Sequence, residues 1–172
     1  LLLVLLPHLW RFPLWLSFGC LSLIAWRLLY ELRGWPLPGR GARWLLTLLG
    51  IGSVLLVFHS IIGLDAGTAL LAVMLCLKLV EIHTHRDAMI ALFIGYFLVI
   101  SGFLFSQSLF MGAYLFAVVL SLTAALTALN HHGVRIAQHR LYLRTGGALL
   151  LQALPLMVIM FVLFPRISSP LW

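Results

Sequence analysis

The chain has 172 residues, 63% hydrophobic and 9% charged, with a mean hydropathy of +1.14. A soluble domain is about 45–50% apolar and about 25% charged, so this much apolar surface cannot be hidden in one water-facing globule; a disordered chain, a coiled coil and a collagen-like fibre are excluded by the same numbers. Eleven Lys and Arg against four Asp and Glu leave a net charge of +7, which in an apolar chain reads as the loop charge that orients helices in a bilayer, with no nucleic-acid surface implied.

A membrane span needs roughly 20 mainly apolar residues. Leu1–Leu6 is too short to cross alone. The chain opens on Leu1 and not Met, so its natural N-terminus is expected to be missing and Leu1–Leu6 to be the tail of a truncated first helix. A cleaved signal peptide is the weaker reading, because no charged leader or small-residue cleavage site is visible. Residues 7–13, Pro-His-Leu-Trp-Arg-Phe-Pro, read as an interfacial turn with proline at both ends and Trp10 at headgroup level.

The first full span is expected near residues 14–30, with Arg27 snorkelling outward close to its end. Residues 31–43 read as a polar loop whose Pro and Gly stop both flanking helices. The second span runs near 44–62, a tight turn follows at Gly63–Gly67, and the third span runs near 64–80. Residues 81–87, Glu-Ile-His-Thr-His-Arg-Asp, read as a compact charged loop. The fourth span covers about 88–105, Ser106-Gln107-Ser108 is a minimal polar turn, and the fifth span covers about 109–129. Residues 130–145 form a third basic loop, its middle a short interfacial helix. The sixth span covers about 146–164 with Pro155 as its kink, and residues 165–172 leave the membrane.

Continuous apolar runs exclude a transmembrane barrel, whose strands alternate. The expected fold is therefore all-α: one polytopic membrane bundle over residues 1–172, with six full spans and a partial N-terminal one. Loop charge sets its orientation. Arg27, Arg33, Arg40, Arg43, Lys78, Arg86, Arg135, Arg140 and Arg144 fall on one side, against Arg11 and Arg166 on the other. The positive-inside rule makes the richer side cytoplasmic and puts the end of this segment on the outer side.

An ionisable residue deep in a span points to function by default, and this chain has almost none. Lys78 and Glu81 lie three apart at one helix end and can pair on one face. An anchoring ion pair is the favoured reading, and a proton or ion relay lacks a second intramembrane carboxylate. His83 and His85, beside Arg86 and Asp87, resemble metal-ligand spacing, but i and i+2 do not share a helix face; a solvated loop is favoured there, as it is for His131, His132 and His139. His59 and Asp65 could pair across their turn. Gln152 lies a turn before Pro155, whose freed carbonyl is a structural partner for it. Small residues at four-residue spacing, Ala117/Ser121/Ala125 and Gly63/Gly67, predict close helix packing. Cys20 and Cys76 sit inside apolar runs and read as small buried hydrophobes, with neither a disulfide nor an activated thiolate expected. No hydrolase, zinc-protease or nucleotide-binding motif occurs. No catalytic, cofactor-binding or metal residue is assigned; Lys78, Glu81, Arg86, Asp87, Gln107 and Arg166 remain the polar candidates.

Three stretches carry a resemblance. Leu77-Lys78-Leu79-Val80-Glu81 leads into Arg86-Asp87-Ala88. Gly95-Tyr96-Phe97-Leu98 leads into Phe103-Leu104-Phe105-Ser106-Gln107-Ser108-Leu109. Leu163-Phe164-Pro165-Arg166-Ile167 leads into Pro170-Leu171-Trp172. Together, in order and spacing over essentially the whole chain, they resemble the N-terminal membrane region of bacterial TgpA-type transglutaminases. The sequence departs from that pattern at His83 and His85 (arginines), at Ser101-Gly102 (a more polar pair) and at Ser168-Ser169 (Pro-Gly).

The resemblance implies a multi-pass protein of the bacterial inner membrane, similar in its parent chain to a protein-glutamine gamma-glutamyltransferase. It also implies a periplasmic transglutaminase-like domain using Cys, His and Asp, with its catalytic residues beyond Trp172, then a further membrane helix and a small cytoplasmic domain. On this reading the bundle is a non-catalytic anchor and scaffold. Its partners are the lipid bilayer, the periplasmic domain of the same chain and cell-envelope proteins. The alternative is that the bundle itself is a small transporter, a channel or a lipid- or partner-binding module, since one helix would suffice as an anchor.

Overall fold

In a computed structural model, the described residues are 1–9, 11–34, 36, 38–58, 63–105, 108–130 and 139–163. They form seven α-helices: α1 (Leu2–Leu9), α2 (Leu14–Arg33), α3 (Arg40–Phe58), α4 (Leu64–Glu81), α5 (His85–Phe105), α6 (Leu109–Asn130) and α7 (His139–Leu163). The fold is all-α among these residues, as expected. Four stretches are long and apolar enough to cross a membrane: Gly41–Phe58, His85–Phe105, Leu109–Asn130 and Leu141–Ile159. α2 and α4 are of similar length but carry Arg27, Glu31 and Arg33, and Asp65, Lys78 and Glu81.

The chain divides into two compact units, Leu1–Leu122 and Thr123–Trp172. In the first, α4 is the hub and packs against α2, α3 and α5. Its side chains explain why. Ala66, Ala69, Ala72 and Cys76 recur every three to four residues and are fully buried or nearly so, so neighbouring backbones can approach closely. The small-residue rows expected to do this are elsewhere: Ala117 and Ala125 are exposed, and Gly63 lies exposed before α4. One close approach is made by Gly50 of α3, where a Cβ would fall 2.6 Å from Val73 Cγ1 of α4.

The helices begin and end differently from the expected loops, for local reasons. α2 runs three residues past Tyr30 and stops at Gly34, which takes φ +68° and donates its N–H to Tyr30 O at 2.9 Å. Along that extension Arg27 pairs with Glu31 at 3.0 Å, one turn apart. α3 starts at Arg40, so the polar loop is much shorter than residues 31–43. α7 starts at His139, inside the segment expected as a basic loop; residues 131–138 lie outside the description.

The largest correction concerns Pro7. The expected turn at residues 7–13 is helical through Leu9, and Pro7 lies inside α1. A proline within a helix leaves the carbonyl four residues earlier without its donor. That carbonyl is Leu3 O, and the Tyr114 hydroxyl of α6 donates to it at 2.6 Å. A residue more than a hundred positions away thus makes the helix tolerable. Among the described residues, Arg11 and Phe12 turn here, their N–H groups donating to His8 O at 3.0 and 3.3 Å; Trp10 lies outside the description.

Candidate functional site

Of the polar candidates, Lys78, Glu81 and Asp87 come together, and Arg86 stands apart, exposed on the first turn of α5. Gln107, Arg166 and His59 lie outside the described residues. Asp65 is exposed on the first turn of α4 and Gln152 is exposed on α7.

The cluster is built at the joint between α4 and α5. Lys78 and Glu81, three apart, share a face, with Nζ 3.2 Å from Glu81 Oε2. The chain then turns through Ile82, His83 and Thr84. Thr84 caps α5: the Asp87 N–H donates to Thr84 Oγ1 and the Thr84 N–H to Asp87 Oδ2, both at 3.2 Å. This reciprocal capping box satisfies two of the helix's free N-terminal donors. It also fixes Asp87 so that Oδ1 meets Lys78 Nζ at 2.8 Å. Lys78 therefore bridges two carboxylates, one from each helix. His83 braces the turn, its Nδ1–H donating to Glu81 O at 2.7 Å.

Two arginines complete this end. Arg27 reaches toward the end of α2, and its Nη1 donates to Ile82 O at 3.2 Å, tying α2 to the α4–α5 turn. Arg43, in the first turn of α3, brings Nη1 to 3.8 Å from Glu81 Oε1. Its Nε is buried without a hydrogen-bond partner among the described residues. A cavity of about 570 Å³ opens here, lined by Arg43, Trp44, Thr47, Leu77, Glu81 and His83 among others. The sequence reading missed Arg43, which it counted only as loop charge. It also missed the capping box, although Thr-x-x-Asp before an apolar run is the signal for one.

The opposite end has different chemistry. His8 is buried, and its Nε2–H donates to Leu98 O of α5 at 3.1 Å. Its ring lies 6.2 Å from that of Phe12 and 6.4 Å from that of Phe105. The Arg11 guanidinium sits 4.4 Å over the Phe105 ring, a cation–π contact. A cavity of about 200 Å³ is bounded by these residues with Phe58, Asp65 and Thr68. No sequence signal singled out His8, because its partner lies ninety residues away.

Cys20 of α2 and Cys76 of α4 are both buried, as expected. They lie close to each other across the α2–α4 pair, a juxtaposition invisible in the sequence. The ionic end gathers guanidinium, ammonium and carboxylate groups beside an open cavity.

A family model described as the TgpA N-terminal domain matches residues 1–172. A protein-glutamine gamma-glutamyltransferase of Pseudomonas aeruginosa is 41% identical over 171 residues, 99% of this chain and 25% of that protein. The chain thus spans about a quarter of the length of this relative. No solved structure matches.

Proposed function

The chain belongs to the TgpA N-terminal domain family, and on that premise we propose that it is the membrane anchor and scaffold of a longer bacterial inner-membrane protein. The bundle holds a transglutaminase-like domain, with Cys, His and Asp as its catalytic groups, on the outer side. The observation that carries this reading is the match over the whole chain to a relative about four times as long, itself a protein-glutamine gamma-glutamyltransferase.

Charge supports the orientation. In the first unit Arg27, Arg33, Arg43, Lys78 and Arg86 cluster at one end, and Arg11 is at the other. The richer end is cytoplasmic by the positive-inside rule. Alternate crossings then bring residues 165–172 out on the periplasmic side, where the following domain begins. Against a transporter, the Asp, Glu, Lys, Arg and His side chains described within the helices lie within about two turns of a helix end, with no chain of them through the middle.

Topology is the first test. In the full-length protein with the proposed catalytic Cys of the following domain replaced by Ala, Ser169→Cys should react with an impermeant thiol reagent in intact spheroplasts; labelling only after lysis would overturn the orientation. Because Cys20 and Cys76 are both buried, their background labelling should be low. The scaffold role is tested by swapping the bundle for an unrelated anchor with the same exit side. Retained activity supports it; lost activity with normal insertion and a folded enzyme domain argues against it.

A further inference from the structure

The anchoring role leaves the cavity beside Arg43 unused. We propose that this cavity, together with an apolar crevice that adjoins it, binds one phospholipid with an amine-bearing headgroup. The phosphate rests on Arg43, the ammonium on Glu81, and an acyl chain in the crevice. The proposal needs the bundle to lie in a bilayer, as the scaffold reading holds, but no particular domain attached to it.

The two spaces adjoin. Leu46 and Leu77 line both the polar cavity and a second one of about 320 Å³ between α2, α3 and α4. The second space is walled by Trp15, Leu16, Leu23, Leu49 and Val73. From Leu46 to Ser53 it follows α3 for about 10 Å, at about 1.5 Å per residue. Two glycines shape it for different reasons. Gly50 lets α3 sit against Val73, whereas a Cβ on Gly19 would meet nothing within 4 Å. The bare backbone at Gly19 widens the crevice without serving any helix contact. A polar mouth over an apolar trough matches the two halves of a lipid.

The charges select the headgroup. Arg43 lines the cavity with its Nε–H buried and unpartnered among the described residues, so the guanidinium is not satisfied by the protein around it. Its Nη1 is 3.8 Å from Glu81, too far for a hydrogen bond. The two Nη groups, which make no hydrogen bond among the described residues, are therefore the ones open to a phosphate, which they take side by side. Lys78 is held by Glu81 and Asp87 and does not compete, and Asp87 is saturated by Lys78 and Thr84. Glu81 Oε1, with that one long contact, faces the same space. Alone it would repel a phosphate, but beside an ammonium two carbons from the phosphate it becomes the complementary partner. Trp44, 73% exposed at the mouth, fits the headgroup level of a bilayer.

The test is native mass spectrometry of the full-length protein in detergent, offered phosphatidylethanolamine, phosphatidylglycerol or diacylglycerol with identical acyl chains, each with and without millimolar inorganic phosphate. One phosphatidylethanolamine per chain is expected, held at least five-fold better than either other lipid and indifferent to inorganic phosphate. Arg43→Gln and Gly19→Leu should each lower that retention at least five-fold. Their membrane fractionation and thermal unfolding should stay as in the parent, so a failure here is separable from a failure of the anchor reading. Equal retention of all three lipids would mean annular contact only and would overturn the site. So would parental retention in both variants. Displacement by inorganic phosphate would overturn the lipid assignment in favour of a free anion.

Discussion

At one end of the first unit, the termini of α2, α3, α4 and α5 meet through charge; at the other, α1 and α5 meet through rings. The ionic end is made of partly exposed side chains: Lys78 is 19% exposed and Glu81 49%. Pairs in such positions are screened and individually weak. The ring end depends on one buried histidine whose hydrogen bond lies away from water, where losing it is costly. The same molecule is thus held by many small, redundant contacts at one end and by a few large ones at the other. The lesson is that density of charge does not locate the stability of a bundle.

This contrast orders three predictions. His8→Ala should be the most damaging, because it opens a cavity between Phe12 and Phe105 and removes the bond to Leu98. A loss of about 3 kcal/mol is expected in a detergent–SDS unfolding titration; parental stability would mean the ring end is not what ties α1 to α5. Thr84→Ala comes second. It removes one side of the capping box and releases Asp87 from its fixed pose, for about 1 kcal/mol. Thr84→Ser, which keeps the hydroxyl, should restore most of this, and an unrescued loss would assign the effect to the methyl group. Glu81→Gln should change the unfolding midpoint least, because Lys78 keeps Asp87. Raising salt should shift the parent midpoint by a similarly small amount and leave the His8 effect unchanged. A large salt-dependent shift would place the stability of the unit at the ionic end after all.

How much was readable beforehand depends on the range of each interaction. Lys78 and Glu81 are three residues apart, so helical geometry alone brings them together. The Thr84–Asp87 box is equally local and was legible in principle as Thr-x-x-Asp. Arg43 was not: its nearness to Glu81 arises because α3 packs on α4, and that packing depends on Gly50 beside Val73. The row from Ala66 to Cys76 was hidden for another reason. Small residues mark a packing face only when it is known which helix is surrounded, and α4 turned out to be the hub.

By itself, the sequence determines that this chain is a set of apolar helices, and it supplies the loop charges from which an orientation is proposed. Composition, run length and loop charge are local sums that need no knowledge of neighbours. Family membership was equally legible, in short ordered stretches. Only the tertiary structure decided that Pro7 belongs inside a helix completed by Tyr114, that His8 is buried against Leu98, that Cys20 faces Cys76, and that Arg43 stands over an open cavity. Each of these joins residues tens of positions apart, and such contacts exist only once helix packing has chosen which faces meet.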